Sequence, residues 1–137
     1  MKPASWATSL SQGTIRIGAE VELVFTVQLE DNWVIYSNEQ EYEPKKGPIA
    51  AKFNFEPNDG YELLGEVEPI GFQSKYDDIW EANVSFAENK VEFRQKIRVL
   101  SKSPVIKGIY EYQVCNLESG LCINGDDEFE FQIQTKD

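Results

Sequence analysis

The sequence predicts an all-β protein built as an antiparallel β-sandwich, and three observations support this. Apolar and polar side chains alternate with a period of two over several segments, which is typical of strands with one buried face. Turn-forming pairs such as Asp31-Asn32, Ser103-Pro104 and Asn124-Gly125 separate these segments at short intervals. No segment shows the apolar stripe and end caps of a helix. Short alternating strands indicate antiparallel sheets with one solvated face, and we favour a sandwich over a barrel.

Two segments show the alternation most clearly, residues 21–29 and residues 91–99. In the second segment Phe93 and Ile97 share one face, whereas Arg94 shares the other face with further charged residues. About eight strands are expected in total. The remaining candidates are residues 33–36, 49–55, 61–67, 79–86, 105–115 and 129–133.

Residues 1–137 are expected to form one domain, because this length suits a single hydrophobic core. Hydrophobic residues make up 41% of the chain and aromatic residues 12%, which indicates a packed globular protein. Within this domain, residues 1–12 are expected to be an irregular N-terminal segment. The polar and charged residues 37–48 are expected to be a surface loop.

The charge of the chain excludes two classes of partner. It has 13 Lys and Arg residues against 24 Asp and Glu residues, a net charge of -11 at pH 7. Such a surface repels phosphate backbones and anionic lipid headgroups, so nucleic acid and membrane surfaces are poor partners. Acidic groups occur at residues 39–43, 77–78 and 126–128, and we interpret them as solvated faces.

No stretch approaches the roughly 20 apolar residues that a membrane helix requires, and none has the apolar region of a signal peptide. The start, from Met1 to Trp6, is similar to the beginning of a mature domain. We therefore expect an export signal and any membrane-embedded part to lie outside this sequence.

The two cysteines, Cys115 and Cys122, are the main chemical feature of the sequence. Cys115 ends a predicted strand, and the loop-forming residues up to Gly120 allow the chain to reverse and bring the two sulfurs together. A bond closing so short a loop would stabilise the fold by roughly 2.5 kcal/mol, near the low end for native disulfides. The spacing alone leaves a structural disulfide and a redox-active pair equally open.

Other chemistry for these cysteines is excluded by the residues that the chain lacks. A zinc site needs more ligands, but there is no His and no third Cys, so no metal or other cofactor is expected. A cysteine hydrolase needs an imidazole base, which is also lacking. Acidic neighbours, including Glu118 and residues 126–128, would disfavour a thiolate, so an isolated pair should react slowly.

Several motifs resemble one known family. Residues 110–115, Tyr-Glu-Tyr-Gln-Val-Cys, precede Cys122 near the end of an acidic chain, and residues 31–36, Asp-Asn-Trp-Val-Ile-Tyr, follow the first strong strand. In order and spacing these motifs resemble the N-terminal periplasmic domain of the thiol:disulfide interchange protein DsbD. The resemblance covers roughly residues 21–133.

The resemblance implies an immunoglobulin-like antiparallel β-sandwich that works in the periplasm as a thiol–disulfide oxidoreductase domain. It would take electrons from a thioredoxin-like domain and pass them to periplasmic disulfide isomerases or related acceptors. In the family the second cysteine forms the intermolecular disulfide and the first resolves it, roles that correspond to Cys122 and Cys115. An aromatic-tipped cap loop shields the pair. The candidate cap is residues 69–72 with Phe72 at its tip, and Tyr36 is expected to border the cysteines.

The sequence departs from the family pattern at two places. Six residues separate the cysteines, whereas the best-known member of the family has five, and Ile70-Gly71 replaces the acidic pair that precedes the cap aromatic. A second class of function therefore stays open. This is a non-catalytic sandwich module that binds a protein or glycan, with Cys115 and Cys122 as a structural disulfide.

Overall fold

The computed structural model describes residues 3–43 and 45–136, which form eleven β-strands and no helix. The strands are β1 Ala4–Leu10, β2 Glu20–Leu29, β3 Trp33–Tyr36, β4 Lys52–Phe55, β5 Tyr61–Leu63, β6 Glu68–Ile70, β7 Gln73–Asp77, β8 Ala82–Glu88, β9 Lys90–Val99, β10 Val105–Asn116 and β11 Cys122–Gln132.

The strands form two antiparallel sheets that pack as an immunoglobulin-like sandwich. One sheet has the order β1-β2-β9-β5, with β6 also paired to β9. The other has the order β11-β10-β3-β8-β7, and β4 pairs with β10 as well. Strand β10 therefore has β11 along one side, and β4 and then β3 along the other. This arrangement makes β10, which pairs with three strands, the best-connected strand of the sheet that carries both cysteines.

Aromatic side chains fill the space between the sheets. Phe25 of β2 lies opposite Phe93 of β9 in the register of the first sheet, and both are fully buried. Phe25 also contacts Phe129 of β11 edge-to-face, with ring centroids 5.0 Å apart. Strand β9 alternates buried and partly exposed residues over most of its length, as the sequence predicted. Burial of these large rings is the main stabilising contribution to the sandwich.

The prediction of an irregular segment over residues 1–12 was wrong, because Ala4–Leu10 forms strand β1. It pairs with β2 from Ala4↔Leu29 to Leu10↔Leu23 at the edge of the first sheet. Most of its side chains are small or polar and exposed, so the sequence pattern is weak. Trp6 reaches inward and stacks on Tyr110 of the opposite sheet, with ring centroids 4.0 Å apart. Tertiary packing and backbone pairing thus determine this strand.

Other differences concern short or exposed strands. Strands β6 and β7 were not predicted, and β8 covers Ala82–Glu88 instead of residues 79–86. Strand β11 begins at Cys122, seven residues before the predicted start at residue 129. These segments carry acidic or polar side chains on an exposed face, which hides the alternation that marks a buried strand.

We predict that Trp6→Ala destabilises the protein by about 2–4 kcal/mol, because it removes a large ring that bridges the two sheets. The matched control is Thr8→Ala, which lies on the same strand with its side chain exposed, and it should change stability by less than about 0.5 kcal/mol. Urea unfolding measures both. Equal effects of the two substitutions would show that β1 is held by backbone pairing alone.

Candidate functional site

The β10–β11 ladder places the two cysteines directly opposite each other. Its register runs from Val105↔Gln132 to Cys115↔Cys122, where the hairpin loop begins. The cysteines form a disulfide, with Cα atoms 4.0 Å apart and sulfur atoms 2.08 Å apart. The long ladder therefore fixes the pair at one end of the sheet.

Local hydrogen bonds shape the loop between the cysteines. The side-chain Oδ1 of Asn116 accepts bonds from the backbone N–H groups of Glu118 and Ser119, both at 2.9 Å. Gly120 adopts a left-handed conformation, with φ of 76°, and its N–H donates to the carbonyl of Asn116 at 2.9 Å. Glycine suits this position because other residues are strained there. The loop can thus return the chain to Cys122 in register.

A second loop supports the tip of the hairpin. The N–H of Leu117 donates to the carbonyl of Asn32 at 2.8 Å. Asn32 precedes β3, which pairs with β10 through Val34↔Cys115. The disulfide is therefore held from β11 on one side and from the start of β3 on the other.

The two cysteines differ in exposure. Cys115 is 8% exposed, whereas Cys122 lies at the surface. Neither belongs to the inter-sheet core. Val114 and Ile35 point into that core, so the next residue on β10, Cys115, points to the outer face, and its register partner Cys122 shares that face. The pair thus sits on the outer face of the sheet with one exposed and one buried cysteine.

An open groove of about 380 Å³ extends along this outer face. One end is formed by Leu117 of the hairpin loop, and the other by Ile79 in the turn between β7 and β8. Between them lie side chains of β3, β7 and β8: Val34, Tyr36, Lys75, Tyr76, Asp77, Asp78, Val84 and Phe86. The groove thus connects the disulfide hairpin with the β7–β8 turn.

Tyr36 lies on the same face as the disulfide. It follows Val34, the partner of Cys115, by two residues, so it is a diagonal neighbour of that cysteine across the sheet. Burial raises the pKa of Tyr36, and the carboxylate of Asp77 raises it further. The hydroxyl therefore stays protonated at neutral pH and can donate a hydrogen bond into the groove.

The structure does not bring Phe72 to the cysteines. Its ring lies 5.1 Å from that of Phe93 and packs against the inter-sheet core. Residues 69–72 cross from β6 in one sheet to β7 in the other, so Phe72 closes the side of the sandwich. Phe72 and the disulfide therefore lie on opposite faces of the second sheet.

The β7–β8 turn was missed as part of the site. Ile79 is 89% exposed and lines the groove that reaches Leu117. Asp77 Oδ1 orders the turn by accepting bonds from the N–H groups of Ile79 and Trp80, at 2.8 and 3.1 Å. The signal in the sequence was the acidic pair Asp77-Asp78 directly before an aliphatic and an aromatic residue, a group that we had interpreted as a solvated face.

The described residues contain no group of three or more His, Cys, Asp or Glu side chains that could hold a metal ion. In residues 3–43 and 45–136 there is also no helix of the length and hydropathy needed to cross a membrane. The covalent chemistry that the described site can support is thiol–disulfide exchange at Cys115 and Cys122.

Comparison with known proteins finds similarity in structure. No family model and no curated protein matches the chain. The N-terminal domain of DsbD from Neisseria meningitidis, in its reduced form, is similar with a TM-score of 0.55 at 16% identity, over 96% of this chain and 86% of that one. The N-terminal periplasmic domain of ScsB from Proteus mirabilis is similar with a TM-score of 0.64 at 13% identity. That match covers 95% of this chain and 46% of the ScsB chain.

At these identities the likeness concerns the fold. It confirms the predicted immunoglobulin-like sandwich and the predicted resemblance to the N-terminal domain of DsbD. The present chain spans about half the length of the ScsB chain that it matches.

We predict that Asn116→Ala lowers the free energy of unfolding by about 1–2 kcal/mol, because two loop N–H groups lose their acceptor. Asn116→Asp keeps an acceptor oxygen and should retain most of the stability. Urea unfolding of the oxidised proteins measures the difference. Equal losses in the two variants would contradict this role for Asn116.

Proposed function

We propose that this chain is a thiol–disulfide interchange domain that passes electrons through a reversible Cys115–Cys122 disulfide. The observation that supports this best is the position of the pair, which joins an exposed cysteine to a buried one next to a groove lined by their neighbours Val34 and Leu117. The similarity of fold to the N-terminal domains of DsbD and ScsB is consistent with this proposal.

The difference in exposure assigns the roles of the two cysteines in our proposal. In the reduced domain the thiolate of Cys122 attacks the nearer sulfur of a partner disulfide and releases the other partner sulfur as a thiolate. Cys115 then attacks Cys122 in the mixed disulfide, which forms the Cys115–Cys122 bond and releases the second partner thiolate. Two electrons pass from the domain to the partner, and the protons of the two thiols go to solvent or to the released thiolates.

A purely stabilising role explains the bond less well. The loop that it closes is short, so its entropic contribution is only about 2.5 kcal/mol. The aromatic core lies on the other face of the sheet and is complete without the sulfurs. The position at an exposed end of the ladder instead favours access by a partner.

The charge beside the pair favours reaction inside a complex. Glu118 lies in the loop between the cysteines, whereas Asp126 is already about 13 Å along β11 from Cys122 at ~3.3 Å per residue, beyond the Debye length of about 8 Å at physiological salt. Negative charges disfavour a nearby thiolate, so the free domain should exchange slowly with small thiols. A docked partner that displaces water and supplies compensating charge would speed the step.

The proposed partners are a thioredoxin-like domain as the electron donor and periplasmic disulfide isomerases or related proteins as acceptors. The proposed compartment is the periplasm, where disulfides can cycle. The ScsB domain is described as periplasmic, and the disulfide in the present chain suits an oxidising compartment. We also propose Tyr36 as a residue bordering the pair; Phe72, packed on Phe93, is not proposed as its cap.

The reduction potential should separate an exchanger from a structural module. We expect a value above about -300 mV, because structural disulfides of secreted proteins lie below that value. Equilibration of the domain with dithiothreitol and glutathione redox buffers gives the potential. A value well below that limit would favour the alternative function, a binding module with an inert bond.

The roles of the cysteines can be tested with single-cysteine variants. Cys115→Ser, which leaves the exposed Cys122, should form an adduct with oxidised glutathione at least tenfold faster than Cys122→Ser. Mass spectrometry follows the adduct, and alkylation under denaturing conditions confirms that each variant contains one free thiol. A faster reaction of Cys122→Ser would reverse the assigned roles.

A further inference from the structure

The groove beside the disulfide has apolar side chains that the chain leaves partly open. Val34 and Val84 form its buried floor, whereas Tyr36 and Phe86 are half-buried and Tyr76 is 56% exposed. The volume of about 380 Å³ is large enough for one or two side chains of another molecule. Leu117 forms one end of the groove and belongs to the loop that ends at Cys122. A molecule that reacts with Cys122 therefore lies close to the groove.

Exposed aliphatic side chains lie at both ends of the groove. Leu117 is 61% and Leu121 53% exposed at the end that carries the disulfide, and Ile79 is 89% exposed at the other end. Leu117 and Leu121 lie within the loop that joins the two cysteines. Apolar side chains grouped beside a groove are typical of a surface that binds another protein.

The rim of this surface carries an excess of negative charge. Asp77 and Asp78 line the groove, and Glu118 follows Leu117. Glu88 is the register partner of Val34 and lies on the same face. Within the described part of the chain none of these carboxylates takes part in an ion pair, and Lys75 is the only cation that lines the groove.

We infer that the groove between Leu117 and Ile79 docks a segment of the redox partner that carries an aliphatic side chain beside its cysteine and Lys or Arg residues around it. The aliphatic side chain would contact Phe86 and Leu117. The cations would face the carboxylates of Asp78 and Glu118, which complement them in charge. This inference rests on the proposed exchange function and adds to it the chemistry by which a partner is selected.

Peptide disulfides of defined sequence test this inference directly. Four peptides of equal length each carry one cysteine as a mixed disulfide with thionitrobenzoate, flanked by Leu and Lys, Leu and Glu, Ser and Lys, or Ser and Glu. Attack of Cys122 on the peptide sulfur releases coloured thionitrobenzoate, and Cys115 then releases the peptide thiol. Each second-order rate constant is divided by that of dithiothreitol with the same peptide, which removes differences in intrinsic reactivity.

At low ionic strength the Leu–Lys peptide should react about tenfold faster than the Ser–Glu peptide. The preference for Lys over Glu should fall toward one in 1 M salt, because the Debye length is then only about 3 Å. The preference for Leu over Ser should persist in salt, since it depends on apolar contact.

Variants assign the two preferences to their residues. Leu117→Ser should abolish the preference for Leu and leave the preference for Lys. The double variant Glu118→Gln/Asp78→Asn should reduce the preference for Lys at least threefold and leave the preference for Leu. Asp78 makes no side-chain hydrogen bond among the described residues. Its replacement therefore leaves intact the hydrogen bonds by which Asp77 orders the β7–β8 turn.

The matched control is Glu56→Gln/Asp59→Asn, which removes the same two charges far from the site. The backbone N–H of Glu56 donates to the carbonyl of Lys107, which lies near the opposite end of β10. Lys107 is roughly 26 Å from Cys115 along the strand, at ~3.3 Å per residue. This control should leave both preferences unchanged.

Three outcomes decide between the inferences. Equal rates for all four peptides, or equal losses in the control and the site variant, would overturn the docking surface while leaving thiol exchange intact. No release of thionitrobenzoate from any peptide would overturn the exchange function itself. The predicted pattern of rates supports both.

Discussion

The backbone ladder between β10 and β11 is the constraint on which the site depends. It holds two strands in register from Val105↔Gln132 to Cys115↔Cys122, so the position of the disulfide is determined by hydrogen bonds along the whole hairpin. A shift of one residue would turn one sulfur toward the core and the other toward solvent. The ladder also joins the site to the sandwich, because Phe129 and Tyr110 anchor the same two strands in the aromatic core.

The sandwich separates stability from chemistry by using the two faces of one sheet. Val114 and Ile35 point inward and contribute to the core, whereas Cys115 and Val34 alternate outward toward the groove. The aromatic contacts between the sheets therefore do not involve the sulfurs. This arrangement suits a protein whose disulfide opens and closes, since the bond is not part of the core packing.

The outer face combines an exposed cysteine with an acidic and partly apolar surface. Cys122 is exposed next to Leu121, and Glu118 lies in the same loop. In our proposal this surface disfavours the thiolate in the free domain and complements a cationic partner. Selectivity in the proposed exchange then comes from docking as well as from the reactivity of the thiol.

Strong alternation made the buried strands predictable. The segments that became β2 and β9 carry apolar residues at every second position; both are strands as predicted, and the structure places them side by side inside the first sheet. Strands with exposed or small side chains were not predictable in this way. β1, β6 and β7 are held by pairing with better-defined neighbours, and the start of β11 depends on the ladder with β10.

The sequence by itself determined the class of fold, because alternation reflects burial on one face. It also limited the chemistry of the cysteine pair, because the chain has neither a His nor a third Cys. Its candidates Cys115, Cys122 and Tyr36 share one face of the sheet. Only the tertiary structure decided that Phe72 packs on Phe93 and that Ile79 lines the groove reaching Leu117. The physical reason is that β6 and β7 pair with different sheets, so residues close in sequence lie on opposite sides of the sandwich.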